Sequence, residues 1–145
     1  MTTAALSRPR LWKSTVAIAA GFFATAILSL GTDQILHLLN VYPPWDHPTL
    51  DPGLNLLALA YRIVYTVGGG YITARLAPRN ALRHAVILGT IGLLPATAGA
   101  VVAIGSHLGP AWYPIALIAT ALPCTWLGGL LHGRRMNLRR TVVSE

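Results

Sequence analysis

Apolar residues fill four stretches of the chain, 14–39, 54–76, 85–105 and 111–131, and short polar or turn-forming segments separate them. At about 1.5 Å per residue, each stretch is long enough to cross a hydrocarbon core of about 30 Å. The pattern predicts an all-α membrane protein: a single four-transmembrane-helix up-down bundle over 1–145, with 132–145 left as a basic tail. Two charges interrupt it, Asp33 in the first stretch and Arg62 in the second; Arg75 lies at the very end of the second. A charge at the centre of a span costs about 2.5 to 3.5 kcal/mol even on a lenient insertion scale, so both residues require a physical reason.

Local signals mark the helix ends. Asp51, Pro52 and Gly53 read as an N-cap with proline at the first helical position. Ala77 to Asn80 form a short basic turn that makes the second and third helices antiparallel neighbours. Tyr42, Trp45, Trp112, Tyr113 and Trp12 sit where helices meet loops, and the expectation for them is interfacial anchoring rather than a ligand cage. A basic segment followed by apolar residues through Ala24, Thr25 and Ala26 also has the outline of a cleaved leader, but hydrophobicity continues through Leu30, and the first helix is expected to stay.

Charge fixes the expected orientation. Arg8, Arg10, Lys13, Arg75, Arg79, Arg83, Arg134, Arg135, Arg139 and Arg140 all fall at one end of the bundle, whereas loops 40–53 and 106–110 carry no Lys or Arg. The positive-inside rule then places both termini and the middle turn in the cytoplasm, in a multi-pass protein of a bacterial inner membrane. The net charge of +7 is thereby assigned to anionic lipid headgroups rather than to nucleic acid. Composition agrees: 54% of residues are hydrophobic, 10% are charged and the mean hydropathy is +0.57, against about 25% charged in a soluble domain. The single cysteine, Cys124, excludes an intrachain disulfide.

Depth along the helices relates the two buried charges. Asp33 lies about 10 Å below the outer boundary and Arg62 about 13 Å below it, so an Asp33–Arg62 ion pair is expected. Thr25, Ser29, Asp33 and His37 recur every four residues on the first helix, and Asn55, Arg62 and Gly69 every seven on the second, with Tyr65 and Thr66 one turn from Arg62. Thr97 and Thr120 fall at similar depth, which predicts a polar layer of Asp33, Arg62, His37, Tyr65, Thr97 and Thr120 across the bundle. The preferred reading of that layer is architectural, a salt bridge fixing helix register. In the alternative it lines an outward cavity, with His37 as proton partner and Pro95 and Pro123 supplying kinks and freed carbonyls.

Small residues point to close helix approach at Gly68, Gly69, Gly70, Gly92, Ala96, Gly99, Gly128 and Gly129. Thr66, Gly69, Gly70 and Arg75 share their spacing with Thr125, Gly128, Gly129 and Arg134, which fits either two hairpins related by an axis along the membrane normal or, preferably, recurrence of glycine at tight contacts. His37, His47, His107, Asp46 and Asp51 gather toward the outer side, yet no spacing among them is a metal motif, and no metal or other cofactor is expected. No phosphate loop, nucleophile elbow or hydrolytic acid pair is present, so a soluble-type enzyme is not expected.

The segments Ser29–His37, Val41–Trp45, Tyr61–Tyr71 and Gly109–Leu117 together resemble a group of small, uncharacterised bacterial four-span membrane proteins. The resemblance covers most of the chain and implies the same topology; it carries no activity, cofactor or site residue. The expected function is therefore a binding or accessory module of a membrane assembly, in contact with lipid and with further copies or other membrane proteins. A small oligomeric transporter or channel built on the Asp–Arg layer stands second, and an outer-face metal-binding protein or membrane enzyme third.

Overall fold

The computed structural model describes residues 8–143 except Asp46, and side chains over 11–138 with the same exception. Within them the chain forms four helices: α1 (Arg8–Leu38), α2 (Pro52–Leu76), α3 (Ala81–Gly105) and α4 (Trp112–Val143). Three are long and apolar enough to cross a membrane: α1 over Leu11–Leu38, α3 over Ala81–Gly105 and α4 over Trp112–Leu138. The expectation of four such segments holds in these three. Helix α2 is as long as α3, but Asn55, Arg62, Arg75 and its three tyrosines lower its hydropathy; Asn55 and the Arg62 Nη2 are hydrogen-bonded, whereas Arg62 Nε and Thr73 Oγ1 are buried without a partner among the described residues. The tail expected beyond 131 is helical as far as Val143, because nothing in it breaks a helix and Leu, Met and Arg favour one.

Neighbouring helices alternate in direction. Gly21 lies against Thr73, Thr25 against Gly69 and Asp33 against Arg62, so α1 and α2 are antiparallel. Gly89 meets Thr125 and Gly129 meets Ala85, which makes α3 and α4 antiparallel as well. The start of α1, the end of α4 and the α2–α3 turn thus share one end, the basic end; the segments 39–51 and 106–111 lie at the other, the loop end. Helix α2 packs on all three others, while the backbones of α1 and α4 do not come close to each other among the described residues.

Caps fix the loop end. Asp51 has extended backbone and its carboxylate accepts from the N–H groups of Gly53 (2.6 Å) and Leu54 (3.2 Å), with Pro52 opening the helix as expected. Asn40 (φ 55°) and His107 (φ 52°) each end a helix in the left-handed conformation. The following N–H groups reach back five residues, Val41 to the Leu36 carbonyl (2.9 Å) and Leu108 to that of Ala103 (3.0 Å). This is the Schellman arrangement, with Asn and His in the position usually held by glycine. The two loops are stitched together: Thr49 N–H donates to the Leu108 carbonyl (3.0 Å), and the Asn55 amide donates to the carbonyls of Thr49 (2.9 Å) and Asp51 (2.8 Å).

The glycine pairs of α2 and α4 each serve two neighbours. Gly69 faces Gly21 and Thr25 of α1, and Gly70 faces the Thr125 backbone of α4; Gly128 faces Val67, Gly70 and Tyr71 of α2, and Gly129 faces Leu82 and Ala85 of α3. A two-fold axis exchanging the hairpins would make Gly128, like Gly69, face its own hairpin partner. It faces α2 instead, so the repeated spacing reflects glycine recurring at tight contacts. Gly68, Gly92 and Gly99, expected at such contacts, have nothing within 4 Å of where a Cβ would stand. Near the basic end His84 bonds Ser14 and Leu88 packs on Gly21, which joins α1 to α3. Toward the loop end α3 leaves Leu94 (73% exposed) and Val101 (69%) uncovered, so its stripe of small residues has no helix to meet there.

Candidate intramembrane site

Asp33 and Arg62 form the expected ion pair, Arg62 Nη2 donating to Asp33 Oδ2. The other carboxylate oxygen accepts from the Tyr61 hydroxyl. Behind it the Tyr42 hydroxyl lies 3.4 Å from both the Tyr61 hydroxyl and the Leu54 carbonyl. Asp33 is buried at 7% exposure and both of its oxygens are bonded, so its desolvation is offset by two charge-assisted hydrogen bonds. Arg62 is less saturated. Its side chain keeps 28% of its surface accessible against 10% for Asp33, and its Nε has no partner among the described residues. The accessible side of the pair is its donor side.

The pair separates two cavities. Toward the loop end a small one of about 160 Å³ is lined by Asp33, His37, Tyr42, Trp45, Tyr113 and Arg62. His37 closes part of it, its ring 3.8 Å from that of Trp45 and 5.4 Å from that of Tyr42. The larger cavity, about 420 Å³, lies deeper and draws lining from all four helices. Its wall is chiefly apolar, with Phe22, Leu30, Leu88, Pro95 and Leu117, and its polar members are Thr25, Ser29, Arg62, Thr66, Thr120 and Thr125. Four of these threonine hydroxyls donate to carbonyls one turn back in their own helix: Thr25 to Gly21, Thr66 to Arg62, Thr120 to Ala116 and Thr125 to Ala121. Each hydroxyl can still accept. Arg62 alone lines both cavities.

The expected polar layer is therefore formed in part. Asp33 and Arg62 pair, and Thr120 shares the wall of the larger cavity with Arg62 while its hydroxyl bonds only its own helix. His37 sits above the pair, stacked on Trp45, with Nδ1 buried and unpartnered among the described residues. Tyr65 turns to α1, its hydroxyl 2.9 Å from that of Thr32. Thr97 does not join: it is exposed, because Ala96 is the residue of that turn facing the cavity and the next position lies about 100° around the helix. Tyr42, expected as an interfacial anchor, is instead buried in the network. No sequence signal shows this, since the Asn40 reversal is what carries the loop back over the pair. Burial raises the Tyr42 phenol above its ordinary pKa and keeps it a neutral donor.

Among the described residues no three His, Cys, Asp or Glu side chains gather to hold a metal ion. His107 serves as a helix cap and Asp51 as an N-cap; Asp46 lies outside the described residues. No protein-family model matches the chain, and no curated protein or solved structure does.

Proposed function

We propose that the protein is an integral-membrane binding module, with all four helices crossing a bacterial inner membrane and both termini cytoplasmic, that holds an amphipathic ligand in its larger cavity. The observation carrying this reading is the cavity itself: about 420 Å³, within the usual range of ligand sites, mostly apolar, with a few convergent polar groups. Because Asp33 and Arg62 neutralise each other and only the donor side is accessible, the polar end of the ligand presents a neutral oxygen acceptor such as a carbonyl, ester or hydroxyl group. The gap between α1 and α3 toward the loop end, where Leu30 and Pro95 line the cavity and are exposed, is the entry from lipid. The same uncovered face of α3 is where a second copy or another membrane helix joins the assembly.

Gly92 lines the cavity and has open space at its Cβ, whereas Gly99 has equal space outside it. Native mass spectrometry of the purified protein is expected to show a lipid-like adduct that Gly92→Phe loses and Gly99→Phe keeps, both variants retaining wild-type helicity. Equal retention by the two variants, or no adduct on the wild type, would overturn the reading.

A second reading rests on Arg62 lining both cavities. In it the ion pair is a barrier between an outward vestibule and the mid-membrane chamber, and its rearrangement passes a solute. Reconstituted protein is then expected to show a solute or proton flux that Asp33→Asn abolishes without loss of fold; flux unchanged by that substitution would remove this reading.

A further inference from the structure

At the basic end a groove of about 400 Å³ runs between the first turns of α1 and α3 and the α2–α3 turn, apart from both cavities described above. Leu11, Ile18 and Ile87 form its apolar side, and Ser14, Pro78, Arg79, Asn80, Arg83 and His84 the rest. Its floor is held in place: His84 Nδ1 donates to the Asn80 carbonyl, which can only accept, at 3.2 Å, and Nε2 lies 2.9 Å from the Ser14 hydroxyl. That contact ties α1 to α3 beneath the two arginines.

The charge at this place is unbalanced. Among the described residues no Asp or Glu lines the groove; Asp33 and Asp51 lie toward the loop end, and the other two acids of the chain, Asp46 and Glu145, lie outside the described residues. Arg79 and Arg83 are exposed and make no ion pair or hydrogen bond among the described residues. Asn80, in the left-handed conformation (φ 48°), places no side-chain bond on the first turn of α3. Two free guanidinium groups and an apolar wall one helix turn away match a headgroup phosphate with its acyl chains, and basic pockets between helices on the cytoplasmic side are known lipid-binding features.

We infer that this groove binds the phosphate of an anionic glycerophospholipid, with Arg79 and Arg83 on the phosphate and the acyl chains along Leu11, Ile18 and Ile87. The inference requires the basic end to lie at the membrane surface and is independent of what the larger cavity holds.

The test measures binding of phosphatidylglycerol, phosphatidylcholine and soluble glycerol 3-phosphate to the detergent-solubilised full chain, by lipid titration with native mass spectrometry and by the shift in melting temperature. Phosphatidylglycerol is expected to bind and raise the melting temperature, and the other two to do neither. Arg79→Gln with Arg83→Gln is expected to weaken it about 30-fold, the equivalent of about 1 kcal/mol per arginine at about 1.4 kcal/mol per tenfold, without changing the melting temperature in the absence of lipid. Arg75→Gln with Arg134→Gln removes the same charge outside the groove and is expected to weaken binding less than about 3-fold, since diffuse attraction is screened within a Debye length. An equal loss in both pairs would show general attraction to the basic end. Glycerol 3-phosphate acting as well as the lipid would show a phosphate site without a lipid. Either result overturns the inference.

Discussion

Arg62→Ala and Asp33→Ala are each expected to destabilise the bundle strongly, and the double change is expected to cost less than the sum of the two. Removing one partner of a buried pair leaves the other uncompensated, at about 3 to 5 kcal/mol, while removing both leaves no stranded charge. The two single losses are not expected to be equal. Asp33 is nearly inaccessible and its side chain is short, so without Arg62 it has only the Tyr61 hydroxyl to rely on. Arg62, with 28% of its side chain accessible and a long flexible stem, can turn its guanidinium toward the loop-end cavity and water when Asp33 is removed. Arg62→Ala therefore belongs near the upper end of the range and Asp33→Ala near or below the lower. Reversible unfolding in mixed micelles, arranged as a double-mutant cycle, measures both features. Additive losses would mean that the two groups do not stabilise each other, and a larger loss for Asp33→Ala would mean that Arg62 is the more confined partner.

This pair was legible in the sequence because two independent quantities agreed on it: opposite charge, and equal depth on helices that a short connection makes neighbours. The same depth argument failed for Thr97, and the reason is physical. Depth follows from counting residues, but the direction a side chain faces must be read from an asymmetry around the helix, and between its ends α3 carries no charge and only Thr90 and Thr97 as polar side chains, both of them exposed. Position 97 has the right height and the wrong azimuth, one step past Ala96. Tyr42 was missed for another reason: its burial depends on the left-handed Asn40, and asparagine tolerates that conformation without demanding it. The hydropathy pattern marked four helices and placed their loop-side ends closely, while at the basic side α1 and α4 run well past the expected limits because polar and basic residues continue a helix as readily as apolar ones. The gap between α1 and α3 at the larger cavity is a property of packing. A stripe of small residues permits close approach and does not compel it, as Gly92 and Gly99 demonstrate.

That distinction between permitted and required glycines predicts opposite responses to the same chemical change. A Cβ at Gly128 would press on the Val67 carbonyl oxygen, the Tyr71 nitrogen and the Gly70 carbonyl carbon, all backbone atoms of α2. No rotamer change relieves such a contact, so Gly128→Ala can be accommodated only by moving α4 away from α2, one of the two helices on which it packs extensively. The expected loss is at or above the upper end of the about 1 to 3 kcal/mol typical of overpacking. Gly70→Ala is expected to act in the same way, since its Cβ would meet the Thr125 backbone from the opposite side of that seam. At Gly92 and Gly99 a methyl group meets nothing, and alanine is favoured over glycine in a helix by about 1 kcal/mol, so Gly92→Ala and Gly99→Ala are expected to be neutral or mildly stabilising. Melting temperatures of the four variants in one detergent should fall into two groups of opposite sign. If Gly128→Ala melted with the Gly99→Ala variant, α2 and α4 would have to lie farther apart than a glycine contact, and the wall they give the larger cavity would have to be redrawn.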